Sequence, residues 1–213
     1  MLEYPTVFCF FSCLCATLSF MSNEYYQERT KEYVTNTVDL DMGIHYEHVL
    51  PLLEKGASIL DAGCGSGRDA LAFKQRGYVV EGFDASPEMV KVARSYAKVP
   101  VIVQRFETLT YENRFDLIWA SATLLHVSRE DHKLAYANLY RALRSKGILY
   151  CSYKDRTCDF KKDGRSFTCF TKEFFSHFVQ EQTQFSLVEL YSSHDLRPGR
   201  EGEPWLNAVL RKE

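Results

Sequence analysis

From Ser58 onward the chain alternates short apolar runs with longer stretches whose apolar residues recur every three or four positions. Ile59-Leu60, Tyr78–Phe83, Pro100–Gln104, Phe115–Ala120 and Ile148–Tyr153 have the length and apolar character of buried strands. Between them Arg68–Arg76 reads as a helix with Ala70, Leu71 and Phe73 inward, closed by Gly77. Ser86-Pro87-Glu88 opens a second helix that runs to about Ala97, with Ser as N-cap and Pro at the first position. Ser128-Arg129-Glu130-Asp131 has the form of a capping box, and Leu134, Ala135, Leu139, Ala142 and Leu143 mark the inward face of the helix behind it. Strand and helix in strict alternation predict an α/β fold with a parallel, doubly wound sheet. Thr171–Glu181 reads as a further helix, and Phe185–Tyr191 and Trp205–Leu210 as the last two strands. Ahead of Ser58, Ser22–Asn36 and Ile44–Leu53 each read as a helix.

Residues 1–20 stand apart. Val7–Phe20 is apolar but short for a membrane span of roughly 20 residues, and Met1–Pro5 has no Lys or Arg to begin a signal peptide. The expectation is that Met21 is the true start and that residues 21–213 form one domain. A length of 213 residues suits one α/β domain with a full core. A net charge of -2 supplies no global basic field toward nucleic acid or an anionic membrane. Seven cysteines without a C-x-x-C pair argue for free thiols in a reducing cytoplasm and against a zinc site.

The chemistry concentrates in Ser58–Asp69, Ser-Ile-Leu-Asp-Ala-Gly-Cys-Gly-Ser-Gly-Arg-Asp. A buried strand reaches an acid, Asp61, then passes through Gly63, Gly65 and Gly67 into a helix. Glycines let backbone approach a ligand where a Cβ would clash, and the free N–H groups of the helix start face the same place. The spacing is G-x-G-x-G with Arg68 in the sixth place, which departs from the dinucleotide G-x-G-x-x-G. An acid before the loop suits a cationic amine better than a pyrophosphate. Asp84 ends the next strand, 21 residues after Gly63, where a carboxylate can accept hydrogen bonds from both hydroxyls of a ribose.

Asp-Ala-Gly-Cys-Gly-Ser-Gly resembles motif I of the class I S-adenosylmethionine (SAM) methyltransferases. The resemblance spans about residues 22–212 and is strongest over 58–89. It extends to small bacterial methyltransferase-domain and tellurite-resistance-like proteins, some of which share the Leu-Arg-Pro-Gly-Arg…Trp-Leu-Asn ending. It implies a Rossmann-like sheet of seven strands, the last antiparallel, and S-adenosyl-L-methionine as cofactor. The residues it carries over for cofactor binding are Asp61, Gly63, Cys64, Gly65, Arg68, Asp84, Ala85, Met89 and Ala120. Relatives carry an acid four residues before Leu109, where this chain has Arg105; adenine recognition then passes to Phe106 and Glu107.

The resemblance also implies that the leading helices form a lid, which makes Tyr25, Tyr26 and Tyr33 candidate contacts. His126 follows the fourth strand, beside the expected methyl donor, and is the one histidine placed for general-base work. The insertion Lys154–Phe170, with a turn at Asp163-Gly164, is expected to shape the acceptor pocket with Tyr153 and Arg165. Arg197 and Arg200 around Pro198-Gly199 suit an anion or carboxylate. The function that follows is methyl transfer to a small molecule, without metal or stable membrane association. A tRNA or protein methyltransferase and a non-catalytic SAM-binding protein are the alternatives. The acceptor and the oligomeric state stay open.

Overall fold

A computed structural model describes residues 29–213. Residues 1–20, Tyr25 and Tyr26, for which expectations are given above, lie outside the described residues. The described chain forms one seven-stranded sheet in the order β3-β2-β1-β4-β5-β9-β8, plus a two-stranded ribbon, β6-β7. The strands are β1 Ser58–Ala62, β2 Val79–Asp84, β3 Val101–Val103, β4 Phe115–Ala120, β5 Leu143–Lys154, β6 Phe160–Lys162, β7 Arg165–Phe167, β8 Phe185–His194 and β9 Pro204–Lys212. β1 to β5 pair in parallel, and β9 runs antiparallel to both of its neighbours. The predicted mostly parallel sheet with an antiparallel last strand is therefore present.

The helices are α1 Thr30–Thr37, α2 Gly43–Tyr46, α3 Arg68–Gln75, α4 Pro87–Ala97, α5 His132–Ala142 and α6 Lys172–Gln182. Successive strand residues face opposite sides of the sheet, and both sides are apolar. Leu60, Ile118, Leu149 and Leu210 pack with Leu139 of α5 and Phe175 of α6. Ile59, Leu117, Trp119, Tyr150 and Val209 pack with Val49 and with Phe73 of α3. A sheet covered on both faces explains why its strands read as continuous apolar runs. β1 and β4 reverse the strand order between them, so the crevice at their carboxyl ends is the place for a ligand.

Two local expectations change. Ile44–Leu53 is not one helix: α2 ends at Tyr46, and Leu50–Leu52 is a 3-10 turn built around Pro51, which has no N–H to continue an α-helix. The Ser128–Asp131 box lies one turn before the helix. Ser128 Oγ bonds the Asp131 carboxylate at 2.8 Å and accepts from Asp131 N at 3.2 Å, and α5 begins only at His132.

His132 is buried against the rings of Tyr136, Tyr153, Phe170 and Phe178. Its Nδ1 lies 2.8 Å from the Ser128 carbonyl, which can only accept, so Nδ1 carries the proton and the buried Nε2 has no hydrogen-bond partner. Burial lowers its pKa to about 4. Between the unfolded value of about 6.5 and the folded value, the native state binds fewer protons. His132 therefore contributes fully above pH 6.5, and its contribution is lost as pH falls toward 4. The loss is about 3 kcal/mol. Urea unfolding of wild type and His132→Leu at pH 7 and pH 4 should show wild type losing about that much more than the variant. Equal acid losses would refute this role.

Candidate functional site

The glycine turn is stitched to the sheet by its own amides. Gly63 N and Cys64 N both donate to the Phe83 carbonyl, at 2.8 and 2.9 Å. Gly65 N donates to Asp84 Oδ2 and Ser86 N to Asp84 Oδ1, each at 2.9 Å. Asp84 thus sits at the tip of β2 with its carboxylate oriented by two backbone donors. Burial pushes its carboxyl above the ordinary range, and the amide hydrogen bonds oppose that shift. These loop amides are already used. The turn therefore offers a ligand a surface without side chains rather than a nest of donors. At Gly63, φ is +71° and a Cβ would stand 1.9 Å from Thr123 Oγ1, so only glycine fits.

Two cavities open at this edge. The smaller, about 90 Å³, is lined by Gly63, Gly65, Asp84, Ala85, Met89 and Phe106 together with Gln104, Arg105, Glu107 and Thr123. The larger, about 490 Å³, lies under the β6-β7 ribbon and the β8-β9 loop. Tyr33, Ala122 and His126 line both. His126 therefore stands where the two meet. Its Nδ1 lies 2.9 Å from the Ser166 carbonyl, which fixes the proton on Nδ1 and leaves Nε2 in the basic form. Burial lowers its pKa to about 4, so the ring is neutral at physiological pH.

A family model described as a methyltransferase domain matches residues 59–147. The chain is 30% identical over 116 residues to the 2-heptyl-1-hydroxyquinolin-4(1H)-one methyltransferase of Mycobacteroides abscessus, covering 50% of this chain and 51% of that protein. The chain spans about half the length of the curated relatives it matches. Among solved structures, the Burkholderia thailandensis 1,6-didemethyltoxoflavin-N1-methyltransferase, with its substrate and S-adenosylhomocysteine bound, superposes with a TM-score of 0.75 at 21% identity, covering 92% of this chain and 88% of that one. A TehB-like SAM-dependent methyltransferase from Corynebacterium glutamicum gives a TM-score of 0.64 at 23% identity, covering 90% and 98%. The fold is that of the class I SAM-dependent methyltransferases.

The structure brings most predicted cofactor residues to the smaller cavity and leaves four elsewhere. Asp61 does not share a cavity with Asp84. It is buried, and its Oδ2 accepts from Ala70 N of α3 at 3.0 Å. The N-cap of α3 is Gly67, which has no side chain; Asp61 supplies the missing acceptor from the neighbouring strand and puts a carboxyl at the positive helix end. Burial and the neighbouring Asp69 push the Asp61 carboxyl well up. Cys64 turns away into the cluster of Val90, Ala93 and Val101. Ala120 is buried in the sheet, and the cavity begins two residues later, at Ala122. Arg68 lines the larger cavity instead, held by Asp69 at 2.8 Å and by the Thr37 carbonyl at 3.2 Å.

Of the acceptor candidates, Tyr33, Arg165, Arg197 and Arg200 line the larger cavity. Tyr153 does not. On β5 the residues facing the cavity are Tyr150, Ser152 and Lys154, so strand alternation turns Tyr153 to the other face, where it bonds Tyr136 at 3.0 Å. The turn at Asp163-Gly164 has φ of 50° and 73°, the conformation expected for a tight hairpin. Arg197 is clamped on Asp195 through Nε at 2.8 Å and Nη2 at 2.5 Å. Asp195 is held well below the usual carboxylate range: burial raises it, and Arg197 and Lys154 more than offset that. Thr123, Gln104, Ser121, Lys154 and Trp205 also line the cavities without a sequence signal that separated them from ordinary strand-end and loop residues.

Proposed function

We propose that the chain is a SAM-dependent methyltransferase acting on a small molecule. The observation that carries this reading is the pair of cavities meeting at His126: one with Asp84 at a β-strand tip, the other large enough for an organic acceptor. The residues fit the cofactor. Asp84 presents a carboxylate for the ribose hydroxyls, Ala85, Met89 and Phe106 an apolar slot for the base, and the turn at Gly63 and Gly65 a floor that a Cβ would fill. When bound, SAM supplies a methyl group on a sulfonium, transferred by in-line displacement.

The chain's part is to hold the acceptor in line and keep the site dry. His126 Nε2 is the group placed to take a proton from an acceptor hydroxyl; an acceptor with a neutral amine lone pair needs no base. His126→Gln is expected to lower kcat by about 10²–10⁴ for a hydroxyl acceptor and to leave SAM affinity within twofold. A rate unchanged by the substitution would remove the base role.

The reading is tested by calorimetry with SAM and by transfer of labelled methyl from SAM to fractions of cell extract. Asp84→Ala should weaken SAM binding by about 1.5–3 kcal/mol for each hydrogen bond lost to the carboxylate. Unchanged affinity would show that the ribose is not held there. A small acceptor is favoured over tRNA by a concave cavity of about 490 Å³ and by a net charge of -2. No helix of the described residues is long and apolar enough to cross a membrane. Cys64, Cys151, Cys158 and Cys169 are free thiols, which supports a reducing, cytoplasmic setting.

A further inference from the structure

The larger cavity has a charge character that the whole chain lacks. Seven arginine and lysine side chains line it, against two acids, Asp195 and Glu203, in a protein whose net charge is -2. Both acids are already engaged. Lys154 bonds Asp195 at 3.1 Å and Glu203 at 2.6 Å, and Arg197 takes the remainder of Asp195. Arg68 is matched by Asp69, and Arg165 lies 3.7 Å from Asp163. Arg156, Lys162 and Arg200 have no acid within salt-bridge distance among the described residues. The excess of positive charge is therefore uncompensated by the protein.

The same walls are aromatic. Phe160 of β6 and Phe167 of β7 stack with ring centroids 4.6 Å apart and an interplanar angle of 3°. The Arg156 guanidinium lies 4.7 Å from the Phe160 centroid and that of Arg165 lies 5.3 Å from the Phe167 centroid. Each ring of the ribbon's stacked pair thus has a guanidinium beside it. Stacking leaves the N–H edge of a guanidinium directed sideways, the edge that pairs with a carboxylate. Trp205, with Lys154 Nζ 4.1 Å from its ring, adds a further aromatic surface to the same cavity.

We propose that the methyl acceptor is an organic carboxylate with a flat apolar body. Its body lies against the ribbon and Trp205, and its carboxylate faces Arg156 and Arg200. This deepens the methyltransferase reading and rests on it. Two features separate this class from its rivals. A small inorganic oxyanion would satisfy the charge but leave most of a 490 Å³ cavity and its aromatic walls unused. A neutral aromatic acceptor would use the walls but would not need cations that the protein leaves without partners. Mixed apolar walls with a few convergent polar groups are the usual anatomy of a small-molecule site.

The test is binding, measured apart from turnover. 2-Naphthoate, its neutral analogue 2-naphthamide and inorganic selenite are titrated into the full chain, and S-adenosylhomocysteine is titrated separately by calorimetry. The expected result is that 2-naphthoate binds at least tenfold more tightly than the amide, that selenite does not compete with it, and that Arg156→Gln/Arg200→Gln erases the preference for the acid. Arg156 is exposed and Arg200 half-buried, and retained S-adenosylhomocysteine binding by the double variant certifies the fold. Equal binding of acid and amide, competition by selenite, or binding of neither probe by protein that binds S-adenosylhomocysteine would each overturn the proposal while leaving the methyltransferase reading intact. Loss of S-adenosylhomocysteine binding in wild type would instead overturn both.

Discussion

Asp69→Ala is expected to destabilise the protein by about 3–5 kcal/mol, the cost of leaving a buried charge without its partner. Asp69 is buried at the start of α3 and accepts from its helix neighbour Arg68 and from two distant elements. Arg68 donates to both oxygens at 2.8 Å, Tyr46 Oη of α2 donates at 2.6 Å, and Trp119 Nε1 of β4 donates at 2.8 Å. Burial alone would raise the carboxyl, but Arg68 and these donors hold it below its ordinary value. Removing it leaves the half-buried Arg68 with the Thr37 carbonyl and strips the Tyr46 hydroxyl and the Trp119 indole of their acceptor. Asp69→Asn keeps one oxygen, for either the Tyr46 hydroxyl at Oδ1 or the Trp119 indole at Oδ2 but not both, and turns an amide donor toward the other and toward Arg68, so a smaller but still marked loss is expected. Urea unfolding of the three proteins at pH 7 gives the comparison. A loss below about 1 kcal/mol for Asp69→Ala would show that the cluster is a surface-like ion pair. The same node fixes Arg68 on the wall of the larger cavity, so the loosened variant should also show weaker binding of acceptor analogues.

The node was invisible in the sequence, and the reason is physical. Asp69 in Gly-Arg-Asp looks like an acid in a first helical turn, a common and exposed arrangement. Its importance comes from Tyr46 and Trp119, which lie 23 and 50 residues away. By contrast, the parallel sheet was readable because burial on both faces leaves continuous apolar runs, and Asp84 was readable because one helix and one strand separate it from Gly63. Asp61 shows where such reading stops. An acid at a strand tip before a glycine turn is equally suited to a cationic ligand and to the exposed amides of the next helix, and only coordinates show that Ala70 N receives it. Tyr153 failed for a simpler reason: residue identity marks a strand but not which face a given position takes, and alternation gave the cavity Ser152 and Lys154. The charge of the larger cavity was partly legible, since Arg165, Arg197 and Arg200 were singled out. Lys154, Arg156 and Lys162 join them only when the ribbon folds over the sheet edge.

Gly63→Ala is expected to weaken SAM binding by at least a hundredfold, about 2.7 kcal/mol, while the protein stays folded. Two costs meet at this position. A φ of +71° disfavours any residue with a Cβ by about 1–2 kcal/mol. The added Cβ would also lie 1.9 Å from Thr123 Oγ1 and 2.7 Å from Thr123 Cβ, so Thr123 must move. The Gly63 and Cys64 amides tie the turn to Phe83 and resist a shift from their side. Thr123 lines the smaller cavity, so its displacement reshapes the wall on which the cofactor is expected to lie. Adding Thr123→Gly removes the colliding side chain and leaves only the backbone term, so Gly63→Ala/Thr123→Gly should regain all but about 1–2 kcal/mol of the affinity. Calorimetry with SAM, paired with thermal unfolding, separates a closed cavity from an unfolded domain. A single variant that binds like wild type, or a double variant no better than the single, would show that Gly63 is not kept bare by Thr123 and that the cofactor does not depend on this turn.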